Sequence, residues 1–393
     1  MFDFPNSPTN GQIVTGPGGV QWSWDAVGGK WVVVSGSSPG LAPINSPVFT
    51  GDPQAPNPAS ADNDTSIATT SFVQSAVSAS GGQHNIGRNL IHNSLFNVQQ
   101  RGTGPWTADG SYTADRWQLN VTGDTASISV VQTGTPSSTY DDSLVWALQN
   151  VFTGTSGASA FTRLVQKVEK ILRVTGKTVI LSFYASASAP IKIGCNLYQY
   201  FGTGGTPSAG SLVQATGVAF NLTTSFQRFS ATFSIPSAQG KTLGTNGDDF
   251  LEVLIGYSAG ANGSPSYGNI GVQSGTVYLW GVQLEVANPG QTLPSPLEKL
   301  DPRMDLANSQ RFYQTSSFRS TAYQAAGSGF ETTAYFATTM RGTPSVVLSG
   351  TGVINSSAPT VVTASSYAVI VQGIATATGP TQIYGNIAAT ADL

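Results

Sequence analysis

Several stretches of the chain alternate apolar and polar residues with a period of two. Ile191, Ile193, Cys195 and Leu197 alternate with Lys192, Gly194, Asn196 and Tyr198, the pattern of a strand with one buried face. Phe229, Ala231, Phe233 and Ile235 alternate with Arg228, Ser230, Thr232 and Ser234. Val253/Ile255/Tyr257 and Tyr278/Trp280/Val282/Leu284 supply two further strands, and Thr178 to Phe183 reads as a buried one. Many short strands between Gly-, Ser- and Pro-rich loops over residues 88 to 290 predict a β-sandwich. That length suits a single jelly roll with long loops.

Ahead of the sandwich, Val20-Gln21-Trp22-Ser23-Trp24 and Lys30-Trp31-Val32-Val33-Val34 flank a Gly28-Gly29 turn and predict a β-hairpin. A hairpin alone cannot bury Trp22, Trp24 and Trp31. Two readings follow: the rings form a mini-core, or they anchor the module to a partner. Pro47, Pro53, Pro56 and Pro58 then stiffen a spacer. Asp62, Asp64, Thr65 and Ser66 are cap candidates for a short helix carrying Ile67, Phe72, Val73, Ala76 and Val77 as an apolar stripe. So short a helix is unstable alone, and a copy of itself is the simplest partner. The same stretch also has the composition of a disordered linker.

Beyond the sandwich, Asp301 is the expected N-cap of a helix with Pro302 in its first turn and Asp305 complementing the dipole. Strands are expected around 320–326, 331–340, 345–349 and 367–376. The fold class is all-β. It comprises an N-terminal β-hairpin module (1–35), a stalk with a short helix (36–84), a jelly-roll β-sandwich (85–296) and a C-terminal β-domain (297–393).

Composition narrows the class. Only 9% of the 393 residues are charged, against roughly a quarter in ordinary soluble proteins. The apolar fraction is 39% and there are 45 glycines, which leaves a Ser/Thr/Asn/Gln/Gly surface typical of extracellular and viral β-proteins. The net charge of −3 gives no electrostatic footprint for nucleic acid. No apolar run is long enough to span a bilayer. One cysteine excludes an intrachain disulfide framework, and MFDFPNSPTNGQ lacks the pattern of a secretory signal.

Specific runs carry a resemblance. Ser46 to Val73, SPVFTGDPQAPNPASADNDTSIATTSFV, resembles the connector repeat of bacteriophage tail-fibre proteins. Asn89-Leu90-Ile91-His92-Asn93-Ser94-Leu95-Phe96, Tyr112-Thr113-Ala114-Asp115-Arg116-Trp117, Gly176-Lys177-Thr178-Val179 and Trp280-Gly281-Val282-Gln283-Leu284-Glu285 resemble strands of a carbohydrate-binding-like jelly roll in phage fibres. Ser309 to Tyr313, Met340 to Pro344 and the final Ala391-Asp392-Leu393 resemble the C-terminal β-domain of tail fibres, usually the trimeric tip. The resemblance implies a homotrimer with Ile67, Phe72, Val73 and Val77 on its axis. It further implies attachment of the Trp22/Trp24/Trp31 module to other tail or virion proteins, and host attachment by the tip and jelly roll. The virion part would be assembled in the bacterial cytoplasm. A structural fibre without a receptor, and a glycan-degrading tailspike, are the alternatives.

No catalytic constellation stands out. His84 and His92 have no Cys, Asp or Glu at ligand spacing, and Cys195 falls on the apolar side of its strand. Asp141-Asp142 and Asp248-Asp249-Glu252 follow turn residues and read as solvated loop charge, with structural Ca²⁺ the other reading. No other cofactor is expected. Sugar binding needs an aromatic platform and planar polar groups. Asn196, Tyr198 and Tyr200 project opposite the apolar set of their strand, and Tyr257 and Tyr267 are expected from later loops. These five form the expected glycan site; the competing reading packs the tyrosines under a loop or into a trimer interface.

Overall fold

A computed structural model of the chain describes residues 3–16, 19–34, 51, 54–59, 62, 67–73, 75, 87–133 and 144–393. The chain divides into two units, Met1–Gly81 and Gly82–Leu393.

In the first unit, β1 (Ile13–Thr15), β2 (Gln21–Asp25) and β3 (Lys30–Val33) form an antiparallel sheet in that order. The register pairs Trp24 with Trp31 and Trp22 with Val33, so the three indoles share one face. Phe4 joins them, 5.0 Å from Trp31 and 5.4 Å from Trp22. All three tryptophans stay half-buried. Asp25 closes the turn by accepting from the Val27 and Gly28 amides, both at 3.0 Å.

Further along, residues 70–73 and 75 are helical. The helix cap is Thr69, which sequence reading passed over: its hydroxyl accepts from the Phe72 amide at 3.1 Å and donates to Asn57. Ile67 is 71% exposed and Val73 48%. Val77, Asp64, Thr65, Ser66, Pro47, Pro53, His84, Asp141 and Asp142 lie outside the described residues.

The second unit opens with a jelly-roll β-sandwich. One sheet runs β10 (Ser211–Leu212), β9 (Ile191–Tyr200), β13 (Phe250–Ala259), β7 (Phe161–Glu169), β4 (Gln118–Thr122), with β11 (Val218–Leu222) also on β9. The other runs β12 (Gln227–Ser234), β8 (Thr178–Ala187), β14 (Ser274–Val286), β6 (Trp146–Thr153), β5 (Thr125–Gln132). Between them lies one continuous core that includes Leu119, Leu164, Phe183, Cys195, Leu197, Phe233, Val253, Ile255 and Trp280. Of these, Cys195, Leu197, Phe233, Val253, Ile255 and Trp280 are inward positions that the alternation marks.

A helix (Pro302–Gln310) follows, with Asp301 accepting from the Arg303 amide at 2.8 Å as its N-cap. A second, smaller sandwich comes next. Its sheets are β15 (Tyr313–Gln324), β20 (Gly379–Thr390), β17 (Ser345–Ile354) and β16 (Gly329–Tyr335), β19 (Ala368–Ile374), β18 (Thr360–Ala364). Phe318, Phe330, Val369, Val371, Ile383 and Ile387 fill it. The expected strand at 320–326 is the end of a longer one, and β18 and β20 were not foreseen.

The expected boundary at 296/297 falls between two sandwiches that share one unit. Asp305 accepts from the Asn93 amide at 2.8 Å, and Gln100 donates to the Tyr313 carbonyl at 2.9 Å. A clasp gathers the beginning and the end of the first sandwich. Arg88 pairs with buried Glu285 at 2.8 Å, and Glu298 accepts from the amides of Gly87 and Asn89. Asn89 itself bridges Val282 and Leu284 of β14, at 3.0 Å each.

Candidate functional site

Because β9 alternates, sending Ile193, Cys195 and Leu197 inward places Gly194, Asn196, Tyr198 and Tyr200 on the outer face of the six-stranded sheet. The registers extend each into a row across β13 and β7. Tyr200 faces Phe250 and Glu169, Tyr198 faces Glu252 and Lys167, Asn196 faces Leu254 and Val165, and Gly194 faces Gly256 and Arg163. Neighbours in such rows lie about 5 Å apart.

The five expected site residues do not come together. Tyr257 follows the phase of Val253 and Ile255 into the core, 5.7 Å from Phe152 and 1% exposed, so it cannot meet a ligand. Its hydroxyl is pushed well above the usual phenol range by burial. Asn196 points outward but is fully buried, donating to the carbonyls of Gln214 and Ser266 at 2.8 and 3.1 Å. It pins two loops to the sheet and has no free amide hydrogen for a sugar.

Tyr267 arrives on a 3₁₀ turn (Ser264–Tyr267) and packs over Gly194 and Gly256. A Cβ on Gly256 would sit 2.5 Å from its ring, and one on Gly194 would sit 2.0 Å from its carbonyl oxygen. Two glycines in register are thus the seat of this residue, Gly256 under the ring and Gly194 under the backbone. Its hydroxyl accepts from Arg163 at 3.2 Å, and Arg163 also donates to Asn120 at 3.3 Å. Tyr267 is buried and forms a side wall.

What remains accessible is the row Tyr198–Glu252–Lys167 beside Tyr200. Tyr198, Tyr200, Glu252 and Lys167 are half-buried. The Tyr200 ring stacks on Phe250 with centroids 4.7 Å apart at 29°. Glu252 is not the solvated loop charge expected from sequence: it lies inside β13. Burial raises its carboxyl above the ordinary range, with Arg163 and Lys167 pulling the other way. No described residue donates a hydrogen bond to it. A half-buried carboxylate with open acceptor positions beside two aromatic rings is chemically suited to a polyol ligand.

Arg163, Lys167, Phe250 and Glu252 were missed as a set. The signal was present in Phe161-Thr162-Arg163-Leu164-Val165-Gln166-Lys167-Val168-Glu169, whose odd positions form the outer face. The other carboxylates of that expected cluster serve the fold. Asp248 accepts from Thr203, and buried Asp249 accepts from the Ile171 amide at 2.8 Å. Among the described residues no three His, Cys, Asp or Glu side chains gather to hold a metal. A cavity of about 490 Å³ lies elsewhere, between Ser188–Lys192 and Gln273–Thr276, and no aromatic ring lines it.

On the β7 side, residues of the second sandwich meet the sheet. Lys167 donates to the Leu393 carbonyl at 2.7 Å, and its ammonium is 5.1 Å from the Phe250 ring centre. The Tyr112 hydroxyl donates to the same carbonyl at 2.9 Å. Arg101 and Arg116 flank the Asp392 carboxylate. Glu169 pairs with Arg311 at 2.9 Å and Arg341 at 3.2 Å.

No family model matches the chain, and no curated protein does. Solved structures similar to it include a CBM4 structure, 15% identical, covering 50% of this chain and 99% of that one at a TM-score of 0.29. The enzymatically active domain of tailspike protein 4 from bacteriophage CBA120 is 12% identical, covering 51% of this chain and 22% of that one at 0.29. A family 11 carbohydrate-binding module from Clostridium thermocellum, solved with a β-1,3-1,4-mixed-linked tetrasaccharide, is 12% identical, covering 46% and 95% at 0.28.

Proposed function

We propose that the chain is a bacteriophage tail-fibre protein that attaches the virion to a host-surface glycan without catalysis. The observation that carries the glycan reading is the accessible row on the outer sheet face. Tyr198 and the Tyr200–Phe250 stack offer apolar ring faces, and Glu252 offers acceptor positions that no described residue fills. Tyr198 and Tyr200 stack against sugar rings, and Glu252 accepts from a hydroxyl.

The phage reading rests on the connector-like run Ser46–Val73. The homotrimer is part of it: Ile67 and Val73 are exposed on the single chain, and identical neighbours would cover them. The Trp22/Trp24/Trp31 module is the virion-attachment end. Three copies of a weak site gain avidity of about 10²–10⁴ by effective concentration.

Glycan-array binding by the full-length protein tests the site. Tyr198→Ala and Glu252→Gln should each lower the signal about tenfold or more while the melting temperature holds. Binding that survives both substitutions refutes the site. Inhibition of phage adsorption by the purified protein tests the attachment role, and native mass spectrometry tests the trimer.

A further inference from the structure

We propose that this face takes the terminal sugar of a glycan and excludes the interior of a chain; the inference rests on the glycan reading above. Both ends of the row Tyr198–Glu252–Lys167 are closed by protein. At the β9 end the chain at Gly210 lies against the Tyr198 hydroxyl, so that a Cβ there would sit 2.4 Å from it. At the β7 end the Leu393 carbonyl is held by Lys167 at 2.7 Å and by Tyr112 at 2.9 Å. The neighbouring row ends in the same way, with Glu169 taken by Arg311 and Arg341.

From β9 to β7 is two strand spacings, roughly 10 Å, enough for a sugar ring or two. On the third side Tyr267 and Arg163 stand over the Gly194–Gly256 row. A polysaccharide crossing the strands would have to pass through Leu393 and Tyr112 at one end or the Gly210 loop at the other. A chain end meets no such obstacle. The second sandwich therefore contributes to specificity directly, by supplying the stop at Leu393.

The discriminating experiment is a glycan array printed with paired probes, each terminal sugar present once free and once extended by a further sugar at its non-reducing end. The full-length protein should bind the free member and lose about tenfold or more on its extended partner. Tyr112→Ala, which loosens the hold on Leu393, should narrow that difference while keeping the free-end signal. Equal binding to both members by the wild type overturns the end-on inference and leaves the glycan site standing. Absence of signal on every probe overturns the glycan reading and this inference with it.

Discussion

Arg116 holds Asp392 at 3.6 Å in the joint between the two sandwiches, and neither side chain is more than 5% exposed. Arg116 also donates to the Lys167 carbonyl at 2.6 Å and lies 3.3 Å over the Phe312 ring. Removing the carboxylate leaves Arg116 and the largely buried Arg101 without a counter-charge. Asp392→Ala should therefore cost about 3–5 kcal/mol. Because the pair joins two sandwiches, calorimetry should show the unfolding transition of the unit separating into two. A single transition at the wild-type temperature would remove Asp392 from the joint.

Two groups of this joint titrate in opposite senses. Burial lowers His92 from 6.5 to about 3, with Arg116, Arg311 and Arg173 adding to the effect. The unfolded chain then binds the extra proton, so stability falls as pH drops below 6.5, by about 2 kcal/mol at pH 5. Burial raises Asp115 from 3.8 to about 6, against the hydrogen bonds from Gln100. Here the folded chain binds the extra proton, so this contribution is full below 3.8 and is lost as pH rises through 6. Relative to the wild type in urea melts between pH 4 and 7, His92→Asn should lose stability as pH rises and Asp115→Asn should gain it. The reverse pattern would contradict both assignments.

The seat of Tyr267 gives a packing test. Gly194→Ala puts a methyl 2.0 Å from the Tyr267 carbonyl oxygen, so the turn must lift. A cost of about 1–3 kcal/mol is expected, as for other overpacked sites. Glycan binding should weaken with it, since Arg163 is held by the Tyr267 hydroxyl. Chemical denaturation and the array read the two effects separately.

Cys195 is fully buried between the sheets, and burial pushes its thiol well above the ordinary range. It should resist a thiol reagent such as DTNB in the native protein and react stoichiometrically once unfolded. Fast native labelling would mean that the sandwich opens far more readily than its packing suggests.

Alternation made much of the first sandwich legible, since every apolar residue of β9 and β12 that it assigned inward is inward. It failed at β20, where Gly379, Gly385, Ala388 and Ala389 dilute the contrast between faces. Direction was legible at the site, but cover was not. Asn196 points as its strand phase requires, yet loops around 214 and 266 bury it, and no local pattern announces such a contact. Tyr257 is expected from a loop, although its phase with Val253 and Ile255 sets it in the core. The motif residues Asn93, Asp115 and Arg116 look like strand and turn signals in sequence. Asn93 and Arg116 act across more than 200 positions, with Asp305 and Asp392, while Asp115 accepts from nearby Gln100.

The clasp at Gly87–Asn89 has a mechanical consequence. Tension arriving along the chain at residue 87 reaches Glu285 and Glu298 at once, and Glu298 leads within a few residues to the helix and the second sandwich. The strands from β4 to β13 lie outside that line of force, as a loop hung beside a taut cord. Under the proposed attachment role, a fibre pulled between virion and cell would load its backbone while the outer face of the six-stranded sheet stays relaxed.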